Sequence, residues 1–434
     1  MYVTGRLVLL TALGVVPVLL LSAAGVSPWA AAGGWALLCA AAALADVAGA
    51  ADPRRLRIER RLPGRARRDE PAETELRVRN DGGRTLVGLL RDAWQPTAGA
   101  PADRQPLAVP AGEARTVRVP LRPRRRGEVR SEFVVIRSIG CLGLAGRQAV
   151  IAAPGAIRVL PPFTARRHLP SRLARLRELD GSTSVQVRGA GTEFDSLREY
   201  VRGDDVRSID WRATARSGTT MLRTWRPERD RHVVIVVDTG RTAATRVGDG
   251  VRLDAGMEAA LLLGALAAAA GDHVHLLMFD RAVRARVTGA DGSALLPAMV
   301  EAMAPVNARL IDTDWDAALA QARRITRRPA LLVLLTAQDS PDAARGFLSA
   351  LAGVASRTRV LVATATDADP RPVGVRPSAA DAYLAASLER GRQDAAAVRR
   401  AIGRAGAVAV TADAETLPPR VADHYLYLKA RGRL

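Results

Sequence analysis

Residues 189–238 read GAGTEFDSLREYVRGDDVRSIDWRATARSGTTMLRTWRPERDRHVVIVVD. The stretch ends in an apolar, β-branched run, His232 to Val237, which Asp238 closes. Before that run, charges of both signs are dense and are interleaved with Tyr200 and Trp211. Opposite charges beside aromatic side chains favour a folded, hydrogen-bonded segment over a disordered linker. We therefore expect ordered structure that leads directly into a buried strand.

From His232 onward, apolar strands alternate with helical stretches. Val233 to Val237 and Ala330 to Thr336 are continuous apolar runs, which are typical of parallel strands buried on both faces. Leu253 to Ala270, rich in alanine and leucine, predicts a long helix between them. The pattern predicts a doubly wound α/β domain over residues 231–434.

Residues 191–216, which we call the signature segment, carry a spaced pattern of glycine, charged and aromatic residues: Gly191, Glu193, Phe194, Arg198, Tyr200, Gly203, Asp204, Asp205, Arg207, Asp210, Trp211 and Arg216. This pattern resembles the signature of the family catalogued as domain of unknown function 58. The resemblance implies a von Willebrand factor A-like domain after the signature and a small β-sandwich before it. It also implies a partnership with AAA+ ATPases of the MoxR type.

The signature segment offers an acidic pair, Asp204-Asp205, that could serve either hydrolysis or structure. Because three arginines of the segment accompany the pair, we favour a structural salt-bridge network. We also expect Trp211 to be buried. Its replacement by alanine should then cost on the order of 3–5 kcal/mol of stability, if the ring is fully buried.

In a doubly wound sheet, ligands bind beyond the carboxyl ends of the strands. The first strand here is followed by the loop Asp238-Thr-Gly-Arg-Thr242. In von Willebrand A domains the corresponding loop is Asp-x-Ser-x-Ser and holds a divalent cation. The resemblance therefore implies Asp238, Thr242 and Thr313 as ligands of Mg²⁺.

Three features of this loop region weaken the metal site. Gly240 stands where the middle serine is usual, Ala337 stands where a later acid is usual, and Arg241 lies beside Asp238. Because Mg²⁺ demands near-octahedral oxygen ligands, we predict weak binding or none. In the alternative interpretation, Asp238 only caps the loop through backbone N–H groups. In either case Asp238→Ala should impair partner capture more than folding.

Two apolar runs begin the chain, residues 7–26 and Trp29 to Ala51, and Asp46 is the only charge within them. Each is long enough to cross a hydrocarbon layer of ~30 Å, which predicts a transmembrane helical hairpin. Arginines flank the outer ends and the turn has none, so the positive-inside rule predicts a plasma-membrane protein with its bulk in the cytoplasm. A cleaved signal peptide is the alternative for the first run. We expect Asp46 to snorkel or to pair with an arginine.

The region before residue 160 reads as short strands between glycine and proline turns, which predicts a small β-sandwich. One strand places Leu76 and Val78 on the same face, and another covers Glu132 to Ile136. The predicted domains are residues 1–52 (two transmembrane helices), 53–160 (β-sandwich), 161–230 (linker and signature segment) and 231–434 (α/β domain).

Composition excludes several functions. The net charge is +20, but arginine-rich composition without a recognition motif does not predict nucleic-acid binding. Phosphate-loop, nucleophile-elbow and zinc-protease motifs are absent from the sequence, so we predict no enzyme activity.

His273 and His275 share one strand face and predict a packed pair, while His168, His232 and His424 are expected to be isolated. Cys39 and Cys141 are far apart in sequence and predict buried thiols rather than a disulfide.

The leading hypothesis is a membrane-anchored, cytoplasm-facing interaction or scaffold protein. It would work with a MoxR-type AAA+ ATPase in the assembly or maturation of client complexes, with no cofactor beyond weakly bound Mg²⁺. One alternative is a cell-envelope or cell-wall assembly factor that acts without an ATPase. A second alternative is a hydrolase that uses the acidic pair of the signature segment.

Overall fold

The computed structural model describes residues 1–183, 193–202, 204–226, 231–338, 340–367 and 379–434. The chain divides into two units, residues 1–160 and residues 161–434. The first unit combines apolar helices with mainly antiparallel sheets, and the second combines the signature segment with a mainly parallel sheet.

Three α-helices lie near the start of the first unit: α1 (Gly5–Leu13), α2 (Val15–Ala23) and α3 (Pro28–Gly49). The first apolar run is thus two helices that meet at Gly14. One cause is Pro17, which has no N–H to donate to the carbonyl of residue 13. Near this break, the indole N–H of Trp35 donates to the Leu10 carbonyl at 3.3 Å. Among the described residues, the stretches Gly5–Ala23 and Pro28–Arg55 are long and apolar enough to cross a bilayer, a criterion that a signal sequence near an N-terminus also meets.

The expectation for Asp46 was wrong. Its carboxylate accepts backbone N–H groups from Leu142, Leu144 and Ala145, and the residue is fully buried. Both cysteines are free, as expected, but Cys141 is exposed rather than buried.

The rest of this unit is β-structure, as predicted, and its strands are β1 (Tyr2–Val3), β2 (Leu56–Arg61), β3 (Arg65–Arg67), β4 (Ala72–Asn80), β5 (Leu86–Trp94), β6 (Gln105–Val109), β7 (Ala114–Leu121), β8 (Gly127–Ile139) and β9 (Ala145–Leu160). One sheet has the order β1-β9-β8-β5-β6, with β3 also paired to β9, and the other has the order β2-β4-β7. Leu76 and Val78 are both fully buried, and the two sheets contribute to one hydrophobic core.

Strands β8 and β9 form a hairpin much longer than the predicted run Glu132 to Ile136. Pro154 lies inside β9, where it would normally end pairing because it has no N–H. The register shifts between Ser131 and Phe133 on the facing strand. This irregularity accommodates the proline and lets the hairpin continue.

The second unit contains the helices α4 (Leu169–Thr183), α5 (Trp211–Ser217), α6 (Arg252–Ala269), α7 (Leu295–Met303), α8 (Trp315–Ile325), α9 (Arg345–Ala355), α10 (Ala379–Arg404) and α11 (Leu417–Ala430). Its strands are β10 (Glu193–Glu199), β11 (Met221–Arg226), β12 (His232–Asp238), β13 (Arg246–Val247), β14 (Gly250–Val251), β15 (His273–Phe279), β16 (Val283–Val287), β17 (Leu331–Leu335), β18 (Val360–Thr366) and β19 (Val408–Asp413). The main sheet has the order β16-β15-β12-β17-β18-β19, in which β16 is antiparallel and the other neighbours are parallel.

Helices pack on both faces of this sheet. Val234 and Val236 of β12 share a cluster with residues of α8 and α9. On the opposite face, Gly256 of α6 lies against Val237 and Leu335. Helix α6 is apolar around most of its circumference, as a helix enclosed by other elements must be. The likeness of this domain to von Willebrand A domains stays a prediction.

A buried polar group fastens the C-terminal helix α11. Tyr425 is fully buried and its hydroxyl donates to Asp272 at 2.5 Å. The ammonium of Lys429, the only lysine in the chain, lies 3.7 Å from the same carboxylate and donates to the Ala270 carbonyl at 3.1 Å. These contacts hold α11 on the turn that follows α6.

Candidate functional site

Asp238 ends strand β12 at the carboxyl edge of the parallel sheet and is 3% exposed. Its Oδ1 accepts the backbone N–H of Gly240 at 2.8 Å and the hydroxyl of Thr313 at 2.5 Å. Its Oδ2 accepts the hydroxyls of Thr242 at 3.0 Å and Thr336 at 2.6 Å. The structure thus brings together the three candidate metal ligands and adds a further hydroxyl.

The hydroxyls come from separate loops that meet because neighbouring parallel strands end at the same edge. Thr242 lies in the short helical turn Arg241–Ala244 after β12, and Thr313 lies just before α8. Thr336 directly follows β17, the strand beside β12. The sequence already indicates this position, because Thr336-Ala337-Gln338 ends the predicted strand Ala330 to Thr336, where the von Willebrand A pattern has its later motif.

Gly240 is a glycine because the loops approach closely there. A Cβ atom at this position would lie 2.3 Å from the hydroxyl oxygen of Thr313 and 2.8 Å from the carbonyl oxygen of Ile311. The loop therefore has no room for the serine that the von Willebrand A pattern carries. Gly240 contributes its backbone N–H to Asp238 instead.

The oxygen ligands at this site fit a divalent cation only in part. A threonine hydroxyl can donate to Asp238 and still offer a lone pair. However, no group of three or more His, Cys, Asp or Glu side chains within the described ranges is arranged to hold a metal ion. Mg²⁺ would have Asp238, Thr242 and Thr313 as its ligands, without a second carboxylate. Weak binding or none stays a prediction.

A cleft of about 270 Å³ opens beside Asp238. Its walls include Arg241, Gln338 and the acidic side chains Asp312, Asp314 and Asp316. Arg241 forms an ion pair with Asp312 at 3.2 Å, and Asp314 accepts the backbone N–H of Ala317 to cap α8. The edge-to-face pair Trp315–Phe347 also lines the cleft. The cleft therefore offers a polar, mostly acidic rim above a packed aromatic base.

The sequence analysis missed a second buried carboxylate at the same edge, Asp280. Arg284 donates to both of its oxygens at 2.7 Å, and Thr239 donates at 3.1 Å. Burial alone would raise the pKa of Asp280, but hydrogen bonds from Arg284, from the backbone of residues 281 and 282 and from Thr239 outweigh burial and lower this pKa. Its place directly after the predicted strand β15, at the same edge as Asp238 at the end of β12, was the available signal.

Two acids of the signature segment, Asp204 and Asp205, are engaged in local structure. Asp204 accepts Arg198 at 2.7 Å and the backbone N–H of Val201. Asp205 accepts the backbone N–H of Arg207. These bonds fit the structural interpretation of the acidic pair, although hydrolysis remains the alternative from sequence.

Asp210 caps helix α5. It accepts the N–H groups of Arg212 and Ala213 and forms an ion pair with Arg223 on β11 at 2.8 Å. The hydrogen bond from Ala213, followed by that from Arg223, lowers the pKa of Asp210. The carboxylate thus joins the helix to the β10–β11 hairpin.

The expected burial of Trp211 was wrong, because its side chain is 71% exposed. Trp211 is the first residue of the seven-residue helix α5, whose only buried side chain is Ala213. Of the remaining signature residues, Tyr200 is half-buried, and Arg207 and Arg216 are exposed. Outside the described residues lie Gly191 and Gly203, together with the side chains of Glu193 and Phe194.

His232 is not isolated, contrary to expectation. Its Nδ1 lies 2.9 Å from Nε2 of His275, and its ring stacks with that of His273. The contact arises because β12 and β15 are parallel neighbours that pair His232 with His273. His275 is 8% exposed, and burial, followed by the nearby His232 and His273, lowers its pKa.

Comparison with solved structures returns partial likenesses. The CARDB domain of the PF1109 protein from Pyrococcus furiosus is 17% identical, covers 26% of this chain and 94% of its own, and has a TM-score of 0.20. An ASH/PapD-like domain of human CEP192 is 12% identical, covers 24% of this chain and 84% of its own, and has a TM-score of 0.19. At these scores the likenesses carry no argument about this protein.

Curated relatives match a larger segment. Uncharacterized proteins of Mycobacterium bovis and Mycobacterium tuberculosis are each 26% identical over 208 residues, which is 48% of this chain. The match spans 64% of the length of these relatives. Residues 196–411, which include most of the signature segment and the Asp238 site, match the family described as Protein of unknown function DUF58. The chain therefore carries a DUF58 domain over residues 196–411.

Proposed function

We propose that this protein is a membrane-anchored, cytoplasm-facing interaction protein. Its α/β domain, which we take to be von Willebrand A-like, presents the carboxyl edge of the sheet to a protein partner. The partner is a MoxR-type AAA+ ATPase, as the resemblance of the signature segment implies. The two act together in the assembly or maturation of client complexes.

The cleft beside Asp238 is the observation that carries this proposal. Ligands of parallel α/β sheets bind at this edge, and the cleft volume of about 270 Å³ suits side chains of a partner. Its rim carries Asp312 and Asp316, both exposed, so it favours a basic partner surface. Such charges act mainly on association rate and specificity.

A binding role is also favoured over catalysis. The buried carboxylates at this edge, Asp238 and Asp280, accept several hydrogen bonds each. Three acids of the signature segment, Asp204, Asp205 and Asp210, accept backbone N–H groups, and Asp204 and Asp210 also pair with arginines. A general acid or base must have a carboxylate oxygen that can exchange a proton with the substrate. The oxygens of these carboxylates are instead occupied by hydrogen bonds and ion pairs within the protein.

Site-specific photo-crosslinking in native membranes tests the proposal. A photo-reactive residue at Gln338 lies on the cleft, and one at Arg328 lies in the loop before β17, at the opposite edge of the sheet. We expect a covalent adduct with a MoxR-type ATPase from position 338 and none from position 328. Mass spectrometry identifies the adduct.

Each other result has a definite meaning. Adducts at position 338 only with envelope-assembly or wall-synthesis proteins would favour the alternative that acts without an ATPase. The same ATPase adduct from both positions would contradict a role for the cleft. No protein adduct from position 338 would contradict the interaction proposal itself.

A further inference from the structure

The loop between β8 and β9, residues 140–144, encloses the carboxylate of Asp46 in the last turns of α3. Oδ1 accepts the backbone N–H of Leu142 at 2.8 Å. Oδ2 accepts those of Leu144 at 2.7 Å and Ala145 at 2.9 Å. A side chain at Gly140 would collide with this carboxylate, since a Cβ atom there would lie 2.1 Å from Oδ1. The loop is therefore shaped around Asp46, and its N–H groups satisfy a charge at the end of an apolar helix.

The same loop holds the start of the first apolar helix. Strand β1 pairs with the beginning of β9, where Val3 faces Ala145. The hydroxyl of Thr4 donates to the Gly143 carbonyl at 2.7 Å, and its backbone N–H donates to the Leu144 carbonyl at 3.0 Å. The entry of α1 and the exit of α3 are thus fastened to one loop.

Helix lengths fix the level of this loop relative to a bilayer. The rise from Pro28 to Asp46 is about 27 Å at ~1.5 Å per residue, close to the ~30 Å of a hydrocarbon layer. Trp29 at the far end of α3 is 88% exposed, as suits an aromatic residue at the other interface. If α3 spans the membrane, the loop lies where the hydrocarbon meets the headgroups.

The chemistry of the loop surroundings suits that level. Leu142 at the loop tip is 52% exposed and Cys141 beside it is also exposed. Arg147 donates to the Val47 carbonyl at 2.9 Å and Arg84 donates to the Ala48 carbonyl at 3.0 Å, so guanidinium groups surround the end of α3. Apolar tips with arginines around them match an acyl boundary below phosphate groups.

We propose that the β8–β9 loop is a lipid-contacting element, which Asp46 holds at the membrane surface with Leu142 inserted among the lipid chains. This inference rests on the membrane anchor of the proposed function. The contact fixes the height and tilt of the β-rich unit on the bilayer, so that the helices are a rigid support for it rather than a flexible tether.

A polarity-sensitive fluorophore on Cys141 tests this inference in the full chain. Cys39→Ala leaves Cys141 as the only thiol, and the protein is reconstituted into phosphatidylcholine–phosphatidylglycerol vesicles. We expect blue-shifted emission that lipids brominated near the headgroup quench strongly and aqueous iodide quenches weakly. Asp46→Asn removes carboxylate acceptors from the loop and should reverse both quenching effects, while the protein still floats with the vesicles.

A matched control uses Glu128→Cys in a Cys39→Ala, Cys141→Ser chain. Glu128 lies near the opposite end of β8, about 36 Å from Ile139 at ~3.3 Å per residue. A label there should report water in every preparation. If the Cys141 label reports water while the protein floats with the vesicles, the inference is overturned and the anchor stands. If the protein does not float at all, the anchor itself is contradicted.

Discussion

The hydrogen bonds that Asp238 accepts predict a larger role in folding than its sequence pattern suggested. Replacement by alanine leaves the N–H of Gly240 and the hydroxyls of Thr313 and Thr336 without this acceptor in a buried site. Leaving buried donors unsatisfied costs roughly 1–3 kcal/mol each. We therefore expect Asp238→Ala to lower the melting temperature of the detergent-solubilised protein clearly, and Thr242→Val, which removes one donor, to lower it less. Equal melting of Asp238→Ala and wild type would contradict the network.

Gly240 tests whether the metal site can be completed. Gly240→Ser would supply the missing hydroxyl, but its Cβ would meet Thr313 and the Ile311 carbonyl. We expect a lower melting temperature and no gain of Mg²⁺ binding by isothermal titration calorimetry. Gly353→Ser in α9, where nothing lies within 4 Å of a Cβ, is the matched control and should change neither. A stable Gly240→Ser variant that binds Mg²⁺ tightly would show that the loop can open.

The histidine contact predicts a loss of stability in acid. The bond between His232 and His275 needs a nitrogen lone pair, so at least one ring must be neutral. The pKa of His275 lies below 6.5 in the fold, since burial, His232, His273 and Arg286 lower it more than Asp291 raises it. The unfolded chain therefore binds the proton first, and stability falls as the pH drops below 6.5.

Hydrogen exchange of β12 and β15 measures this effect. After correction for intrinsic rates, we expect weaker protection at about pH 5.5 than at about pH 7.5 in wild type, and a flatter response in His275→Leu. An identical pH response in the two proteins would exclude His275 as the titrating group.

Among secondary-structure elements, helix α5 and its neighbour β11 allow the stability contributions of an exposed and a buried side chain to be compared. Trp211→Ala should leave the melting temperature unchanged, because the ring is 71% exposed. Leu222→Ala on the neighbouring strand β11 should cost about 2–5 kcal/mol, because this side chain is 6% exposed and its loss leaves a cavity. Thermal unfolding of both variants decides the comparison. A larger loss for Trp211→Ala would mean that another surface covers the ring.

Local pattern predicted central strands and the long helix of the second unit. The apolar run Val233 to Val237 and the alanine-rich stretch from Leu253 appear as β12 and α6, because their periodicity differs from that of the flanking segments. The contacts of His232 and Asp280 were missed because they depend on sheet order. Thr239 and Asp280, for example, are 41 residues apart and meet only because β15 lies beside β12.

The sequence could predict which side chains meet at the candidate site, but not how closely its loops pack. Asp238, Thr242 and Thr313 could be named from the spacing and the resemblance. The closeness of Gly240 to Thr313 could not, because it depends on how two loops pack in space. The burial of Asp46 against the β8–β9 loop was hidden for the same reason.

For the whole molecule, reporter fusions test the proposed membrane topology. A reporter fused after Leu434 should score as cytoplasmic, because arginines flank the outer ends of the helical pair and are absent from its turn. Paired alkaline phosphatase and fluorescent-protein fusions measure this in cells. A fusion in the turn, after Ser27, should give the opposite result. An extracytoplasmic score at Leu434 would invert the proposed orientation and remove an ATPase of the cytoplasm as partner.

The buried contact of Lys429 with Asp272 and Ala270 also determines which crosslinking reagents can detect binding partners of this protein. The chain has no other lysine, and this side chain is 10% exposed. Amine-reactive reagents therefore have essentially the N-terminus to modify, and a proteome-wide survey with lysine-directed linkers would score this protein as solitary whatever it binds. A lack of crosslinks in such a survey would follow from the lack of accessible lysines. Carboxylate-directed or photochemical crosslinkers are the reagents that can identify its binding partners.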